Sequence, residues 1–163
     1  MLIAGTGHRP NKLGGYSDEA IQSLEHFAYY LLHQLRPEKV ISGMALGWDQ
    51  SLALAAIQLE IPLIAAVPCK GQDSQWPTPS QARYNVLLGH AERVEILADS
   101  YSQQAMQNRN KWMVDQLKDP SDYLLALWNG TSGGTGNCIK YAEIRKVHIL
   151  NVWDHWQTFL QKR

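Results

Sequence analysis

Strand-length apolar runs alternate with longer segments in which apolar residues recur at helical spacing. The runs lie at residues 2–4, 40–42, 62–67, 94–97, 123–128 and 148–152. The helical spacing lies at residues 17–35, 52–59, 80–91, 102–117, 139–147 and 153–160. Strands that alternate with helices of this length predict an α/β fold whose mostly parallel sheet has helices on both faces. Residues 1–163 are therefore expected to form one Rossmann-like domain.

Three of the predicted strands run directly into glycine-bearing turns, at residues 5–10, 43–49 and 130–136. Because the carboxyl ends of parallel strands share one rim of the sheet, we expect the three turns to lie side by side. Glycine lets a ligand approach the backbone without meeting a Cβ, and the first N–H groups of a following helix have no helical partner. Such a rim suits an anion, most often phosphate.

Polar side chains on these turns add candidate chemistry. Thr6 can donate a hydroxyl, His8 titrates near neutral pH, and Arg9 offers a planar fork that matches phosphate. His8 and Arg9 could equally belong to a solvated loop, and Asp49 could simply cap the helix that follows the second turn. The predicted ligand-binding residues are Gly5, Thr6, Gly7, His8, Arg9, Ser42, Gly43, Met44, Gly47, Asp49, Arg109, Asn110, Trp128, Asn129, Gly130, Gly133, Gly134 and Thr135.

Charge and composition narrow the expected partners. Fifteen Lys and Arg residues balance fifteen Asp and Glu residues, which argues against nucleic acid but allows a small phosphate compound. Cys69 and Cys138 form no spaced set with histidines, so we expect neither a metal nor another cofactor. No signal peptide or apolar run of about 18 residues is present, which predicts a soluble, cytoplasmic protein without a membrane partner.

The ordered motifs resemble those of the SLOG superfamily, in particular its YpsA-like branch. The matching stretches are Gly5-Thr6-Gly7-His8-Arg9-Pro10, Ile41-Ser42-Gly43-Met44-Ala45-Leu46-Gly47, Arg109-Asn110 with Met113-Val114-Asp115, and Leu127-Trp128-Asn129-Gly130 with Gly133-Gly134-Thr135. The resemblance implies a Rossmann-like domain that binds nucleotides or nucleotide-derived molecules at the rim. The superfamily includes LOG-type phosphoribohydrolases, the DNA-processing protein DprA and ligand-sensing domains of defence systems.

The enzymes of this superfamily carry a Pro-Gly-Gly-x-Gly-Thr-x-x-Glu motif, whose glutamate works with an arginine to cleave the bond between ribose and base. Here Ser132 replaces the proline, Asn137 replaces the threonine, and Lys140 falls where the glutamate should be. Arg109 matches the arginine and is the one catalytic candidate. Because a lysine opposes the cationic transition state, a hydrolase would need a relocated carboxylate. The candidates are Asp49, Asp115, Asp122 and Glu143.

Three functions compete at this point. The main hypothesis is a sensor or sequestering module that binds a nucleotide-derived small molecule. The alternative is a nucleoside monophosphate N-glycosidase of the phosphoribohydrolase kind, and the second alternative is DprA-like binding of single-stranded DNA, which the neutral charge disfavours. LOG-type relatives are commonly oligomers, so Trp112, Trp153 and Trp156 could line a homo-oligomer interface or equally belong to the core.

Overall fold

The computed structural model describes residues 1–163, in which six strands alternate with six helices. The strands are β1 (Leu2–Gly7), β2 (Lys39–Ser42), β3 (Leu63–Val67), β4 (Arg93–Ile96), β5 (Tyr123–Leu127) and β6 (His148–Asn151). The helices are α1 (Asp18–Leu35), α2 (Trp48–Gln58), α3 (Thr78–Gly89), α4 (Gln103–Asp115), α5 (Gly134–Ile144) and α6 (Trp153–Gln161). All strand pairs are parallel, in the order β4-β3-β2-β1-β5-β6. The predicted Rossmann-like α/β fold is confirmed.

Helices cover both faces of the sheet, because successive side chains of a strand point to opposite faces. In β1, Ile3 joins the core formed with α1, α2, α3 and α6, whereas Ala4 joins the core formed with α4 and α5. The first core contains the buried ring of Trp156, which places this tryptophan in the interior and not at an interface. None of the helices combines the length and the apolarity that a membrane-spanning segment needs.

The first strand is longer than the sequence predicts, because Gly5 and Gly7 lie within β1 and not in a turn after it. Both glycines pack against α2. A Cβ on Gly5 would overlap the side chain of Leu52, and a Cβ on Gly7 would overlap the indole of Trp48. These glycines are therefore explained by the close approach of α2 to the sheet.

Replacing Gly7 with alanine is expected to lower the free energy of unfolding by about 1–3 kcal/mol, as overpacked cores do. The added methyl group meets three atoms of Trp48, whose side chain is fully buried. Urea denaturation measures the loss. Gly89→Ala is the control, because nothing lies within 4 Å of a Cβ at that helical position. Equal stability of the two variants would contradict this account of β1.

Candidate functional site

A polar cleft of about 300 Å³ lies at the carboxyl ends of β1 and β5. The strand order reverses here, because the chain leaves β1 toward β2 on one side and leaves β5 toward β6 on the other. Ligands of open parallel sheets bind at such a reversal. The lining residues are Thr6, Gly7, His8, Arg9, Asn11, Lys12, Ala45, Asp49, Met106, Arg109, Asn110, Thr131, Ser132, Gly133, Gly134, Thr135 and Gly136.

The glycine-rich loop after β5 contributes free backbone donors to this cleft. Gly133 has a φ of 145°, which favours glycine, and α5 begins at the next residue. The first hydrogen bond of this helical turn runs from the N–H of Asn137 to the carbonyl oxygen of Gly133. The N–H groups of Gly134, Thr135 and Gly136 therefore have no helical partner. Together with the positive end of the helix dipole, they suit an anion.

Two basic side chains from the loop after β1 line the same cleft. Arg9 is exposed, and the short 3-10 turn that follows it carries Lys12 toward the loop after β5. There Lys12 Nζ donates a hydrogen bond of 2.9 Å to Thr131 Oγ1. This contact joins the two loops across the cleft and holds a positive charge close to the amino end of α5.

His8 forms a second link between the two loops. Its Nε2 lies 3.0 Å from the backbone nitrogen of Asn129 and 2.9 Å from Asn129 Oδ1. Asn129 Oδ1 in turn accepts hydrogen bonds from the N–H and the hydroxyl of Thr131. Burial lowers the pKa of His8. The hydrogen bond with the Asn129 side chain raises the pKa and offsets part of that decrease, and the positive charge of Lys12 lowers it further. The lowered pKa favours the neutral imidazole, and Nε2, when it carries no proton, accepts the Asn129 N–H.

Arg109 on α4 lies beneath the cleft and is only 5% exposed. Its Nη1 donates to the carbonyl oxygens of Gly43 and, at 3.4 Å, of Ala66. Its Nε donates to Asn110 Oδ1 at 2.9 Å. A Cβ on Gly43 would lie 2.7 Å from the guanidinium Cζ, so glycine is needed there to make room for the arginine.

Asp49, in the first turn of α2, shares this buried space and is 6% exposed. Its Oδ2 accepts a long hydrogen bond of 3.4 Å from the N–H of Ala45, and its Oδ1 has no partner. Burial raises the pKa of Asp49 to about 6, and the positive charge of Arg109 is the main opposing influence. Asp49 and Arg109 therefore form a buried pair of opposite charges without a direct ion pair.

The charge of the cleft differs from the charge of the whole chain. Arg9, Lys12 and Arg109 line it against the single carboxylate of Asp49, so its local charge is positive although the net charge of the chain is zero. No group of three or more His, Cys, Asp or Glu side chains is arranged to hold a metal ion.

The structure divides the predicted site residues into two sets. Those that line the cleft are Thr6, Gly7, His8, Arg9, Asp49, Arg109, Asn110, Gly133, Gly134 and Thr135. Those that lie outside its lining are Gly5, Ser42, Gly43, Met44, Gly47, Trp128, Asn129 and Gly130. Ser42, at the end of β2, helps to position Asp49. It is fully buried, and its hydroxyl donates to the backbone oxygen of Asp49 at 2.7 Å.

Sequence reasoning missed several lining residues, namely Asn11, Lys12, Ala45, Met106, Thr131, Ser132 and Gly136. Lys12 follows Arg9 closely in the same loop, and that proximity is the signal that could have identified it. Its contact with Thr131 joins positions 119 residues apart, which no local pattern reveals.

The irregular segment at residues 68–79 does not line this cleft. The ring of Trp76 packs edge-on against Tyr84 at 5.3 Å. Gln72 Nε2 donates to the carbonyl oxygen of Gly43 at 3.0 Å, and Tyr84 donates its hydroxyl to Gln72 Oε1. These contacts hold the segment against α3 and the turn after β2, next to the cleft.

Among the acidic residues that could replace the missing glutamate, Asp49 alone lines the cleft. Asp115 accepts the hydroxyl of Tyr141, and Asp122 accepts the N–H of Leu2 at the opposite end of the sheet. The remaining candidate, Glu143, is exposed on α5, and so is Lys140. A hydrolase would have to use Asp49, and hydrolysis stays a prediction.

No family model matches the chain. The uncharacterized SPbeta prophage-derived protein YoqJ of Bacillus subtilis (strain 168) is 29% identical over 122 residues, which cover 64% of this chain and 69% of that protein. The solved structure of DNA processing protein A from Helicobacter pylori superposes with a TM-score of 0.62 over 91% of this chain, at 17% identity. DNA processing protein A from Streptococcus pneumoniae gives a TM-score of 0.48 over 93% of this chain, at 14% identity. The chain spans less than two thirds of these two proteins, 63% and 59% of their lengths.

The likeness to the Helicobacter pylori protein is a likeness of fold, and membership of the SLOG superfamily and of its YpsA-like branch stays a prediction. This likeness contradicts the expectation that nucleic acid is an unlikely partner, because that protein, which has a similar fold, binds single-stranded DNA. The net charge of the chain does not describe the charge of the cleft, for a physical reason. A phosphate responds to the charges within about 10 Å, and those in the cleft are mostly positive.

Proposed function

We propose that the cleft binds the phosphate backbone of single-stranded DNA. The observation that carries the proposal is the convergence of anion-binding groups in one place. The free N–H groups at the start of α5 and the side chains of Arg9 and Lys12 line the same cleft. Contacts of this kind supply the sequence-independent part of the affinity for a strand. The single-stranded DNA binding of the Helicobacter pylori protein with the same fold supports the proposal.

An apolar crevice beside the cleft offers a place for a base. Pro10 lines this crevice of about 120 Å³, and the next residues of the same 3-10 turn line the polar cleft. Leu13, Pro77 and the ring of Tyr16, which is 60% exposed, form part of its walls. Bases of single strands stack on aromatic and apolar surfaces next to their phosphate contacts. The neighbouring crevice therefore favours a strand over an isolated phosphate.

The size of the polar cleft favours a second candidate, a nucleotide-derived small molecule that is sensed or sequestered. A volume of about 300 Å³ is at the lower end of the range of small-ligand sites. The N–H groups of α5 could hold its phosphate in the same way. The two candidates differ in whether the affinity grows when the ligand is extended to a strand.

Fluorescence anisotropy with a labelled oligodeoxythymidine over a salt series tests the proposal. The wild-type chain is expected to bind, with an affinity that falls as salt rises. The double variant Arg9→Ala, Lys12→Ala is expected to bind about tenfold more weakly or worse, because two charge-assisted contacts are lost. The slope of log K against log salt should become shallower by about 0.7 for each phosphate contact removed.

The matched control removes the same charges at the opposite end of α5, with Arg145→Ala and Lys146→Ala. It is expected to bind like the wild type. A control that binds as weakly as the cleft variant would contradict the placement of DNA in the cleft. Competition with unlabelled mononucleotide separates the candidates, because a mononucleotide that binds as tightly as the oligonucleotide supports the second one.

A further inference from the structure

The strand β4 forms an open edge of the sheet with exposed apolar side chains. It pairs with β3 on one side and with nothing on the other. Val94 is 40% exposed and Ile96 is 51% exposed, although both belong to a strand. Unpaired backbone N–H and C=O groups on such an edge are a template for pairing with another chain. At the other edge, Ile149 and Leu150 of β6 are only partly exposed.

The two faces of β4 have different chemistry. Its register with β3 places Arg93 and Glu95 beside Ile64 and Ala66, which face α4 and α5. Val94 and Ile96 therefore face the side of α3. On the α4 side the Arg93 guanidinium lies 5.9 Å from the ring centre of Trp112 and forms an ion pair with Glu95. The Arg93 side chain is 54% exposed and that of Glu95 is 31% exposed, so solvent screens the pair and it contributes little by itself.

We propose that β4 pairs with β4 of a second copy of this chain, antiparallel, about a two-fold axis at Val94. This arrangement keeps the α3 sides of both copies on one face and their α4 sides on the other. It joins the two sheets into one and gives hydrogen-bond partners to the unpaired backbone groups of β4. The proposal is independent of what the cleft binds.

Charge selects the register. A two-fold axis that keeps the faces in place can pass through any of the four residues of β4, and an axis at Ile96 sets Glu95 opposite Leu97 without an opposite charge. An axis at Arg93 sets arginine opposite arginine, and an axis at Glu95 sets glutamate opposite glutamate. The axis at Val94 alone sets each arginine opposite the glutamate of the other copy, and it sets Val94 against Val94. Opposite charges and apolar pairs directly across two strands are stabilising, whereas like charges are destabilising.

Analytical ultracentrifugation over a concentration series tests the interface with a charge swap. The wild type is expected to dimerise. Glu95→Arg and Arg93→Glu each set like charges opposite one another, and each is expected to weaken the dimer at least about tenfold. The double variant Arg93→Glu, Glu95→Arg restores opposite charges and is expected to dimerise again. Glu143→Arg, an equal change of charge on exposed α5, is the control and should dimerise like the wild type.

A cysteine at the axis reports the register directly. Opposed Cα atoms of an antiparallel pair lie about 4.5–5.5 Å apart, within the range that a disulfide spans. Val94→Cys is therefore expected to form a covalent dimer under mild oxidation, while buried Cys69 and Cys138 stay free. A wild-type chain that stays monomeric overturns the proposal. So does a dimer that Glu95→Arg leaves intact, or one whose double variant fails to recover while remaining folded by circular dichroism.

Discussion

Replacing Arg109 with alanine is expected to lower the free energy of unfolding by about 3–5 kcal/mol, the usual cost of removing one partner of a buried charge pair. The variant loses the hydrogen bonds to Gly43, Ala66 and Asn110 and leaves the carboxylate of Asp49 buried without a nearby cation. Since small domains are stable by only about 5–15 kcal/mol, this is a large share of the total. Urea denaturation at neutral pH measures the loss.

Arg145→Ala is the control for this experiment. Arg145 lies 3.6 Å from Asp115, and both side chains are substantially exposed, so its removal should cost less than about 1 kcal/mol. Introducing Arg109→Ala into an Asp49→Asn background should cost less than in the wild type, because no unpaired carboxylate remains. Equal costs in both backgrounds would show that the two charges are not coupled.

Asp49 is expected to make the chain less stable as the pH rises from about 4 to about 6. Its pKa is raised from 3.8 to about 6 in the folded chain, chiefly by burial. Between those values the folded chain retains a proton that the unfolded chain has released, so each rise in pH favours unfolding. Raising the pKa from 3.8 to about 6 adds about 3 kcal/mol to the free energy of unfolding below pH 4, and this stability is lost above pH 6.

The comparison of wild type with Asp49→Asn isolates this effect, because His8 and the other titrating groups are common to both chains. Urea denaturation at pH 4, 5, 6 and 7 should show the wild type losing about 3 kcal/mol relative to the variant. Asp154→Asn, a change at an exposed position of α6, should leave the pH dependence of the wild type unchanged. Parallel curves for wild type and Asp49→Asn would mean that Asp49 is ionised as easily in the folded chain as in the unfolded one.

Much of the fold could be predicted because hydrophobic periodicity is a local property. The continuous apolar run at residues 62–67 predicts a strand buried on both faces, and β3 is fully buried. Ser17 predicts the start of α1, where its hydroxyl oxygen accepts the N–H of Ala20. The length of β1 was not predictable in this way, because Gly5 and Gly7 are placed by the side chains of α2 and not by their own preference for turns.

The position of the cleft in the fold could be predicted from the sequence, whereas the residues that line it could be predicted only in part. Strands that alternate with helices place the glycine turns on one rim, and the cleft lies on that rim. The roles of the glycines were not visible. Gly43 is needed because a side chain there would overlap the guanidinium of Arg109. The positive φ of this turn, 63°, belongs to the neighbouring Met44, although glycine is the residue expected to adopt it.

The sequence by itself determined the class of fold, the rim of the sheet that carries the glycine-bearing turns, and the absence of any excess of net charge. Only the tertiary structure decided that Arg9, Lys12 and the free N–H groups of α5 share one cleft, because these groups come from loops more than a hundred residues apart. It also decided that Asp49 is buried beside Arg109. Electrostatic interactions depend on distance in space and on local burial, and neither is encoded in the overall count of charges.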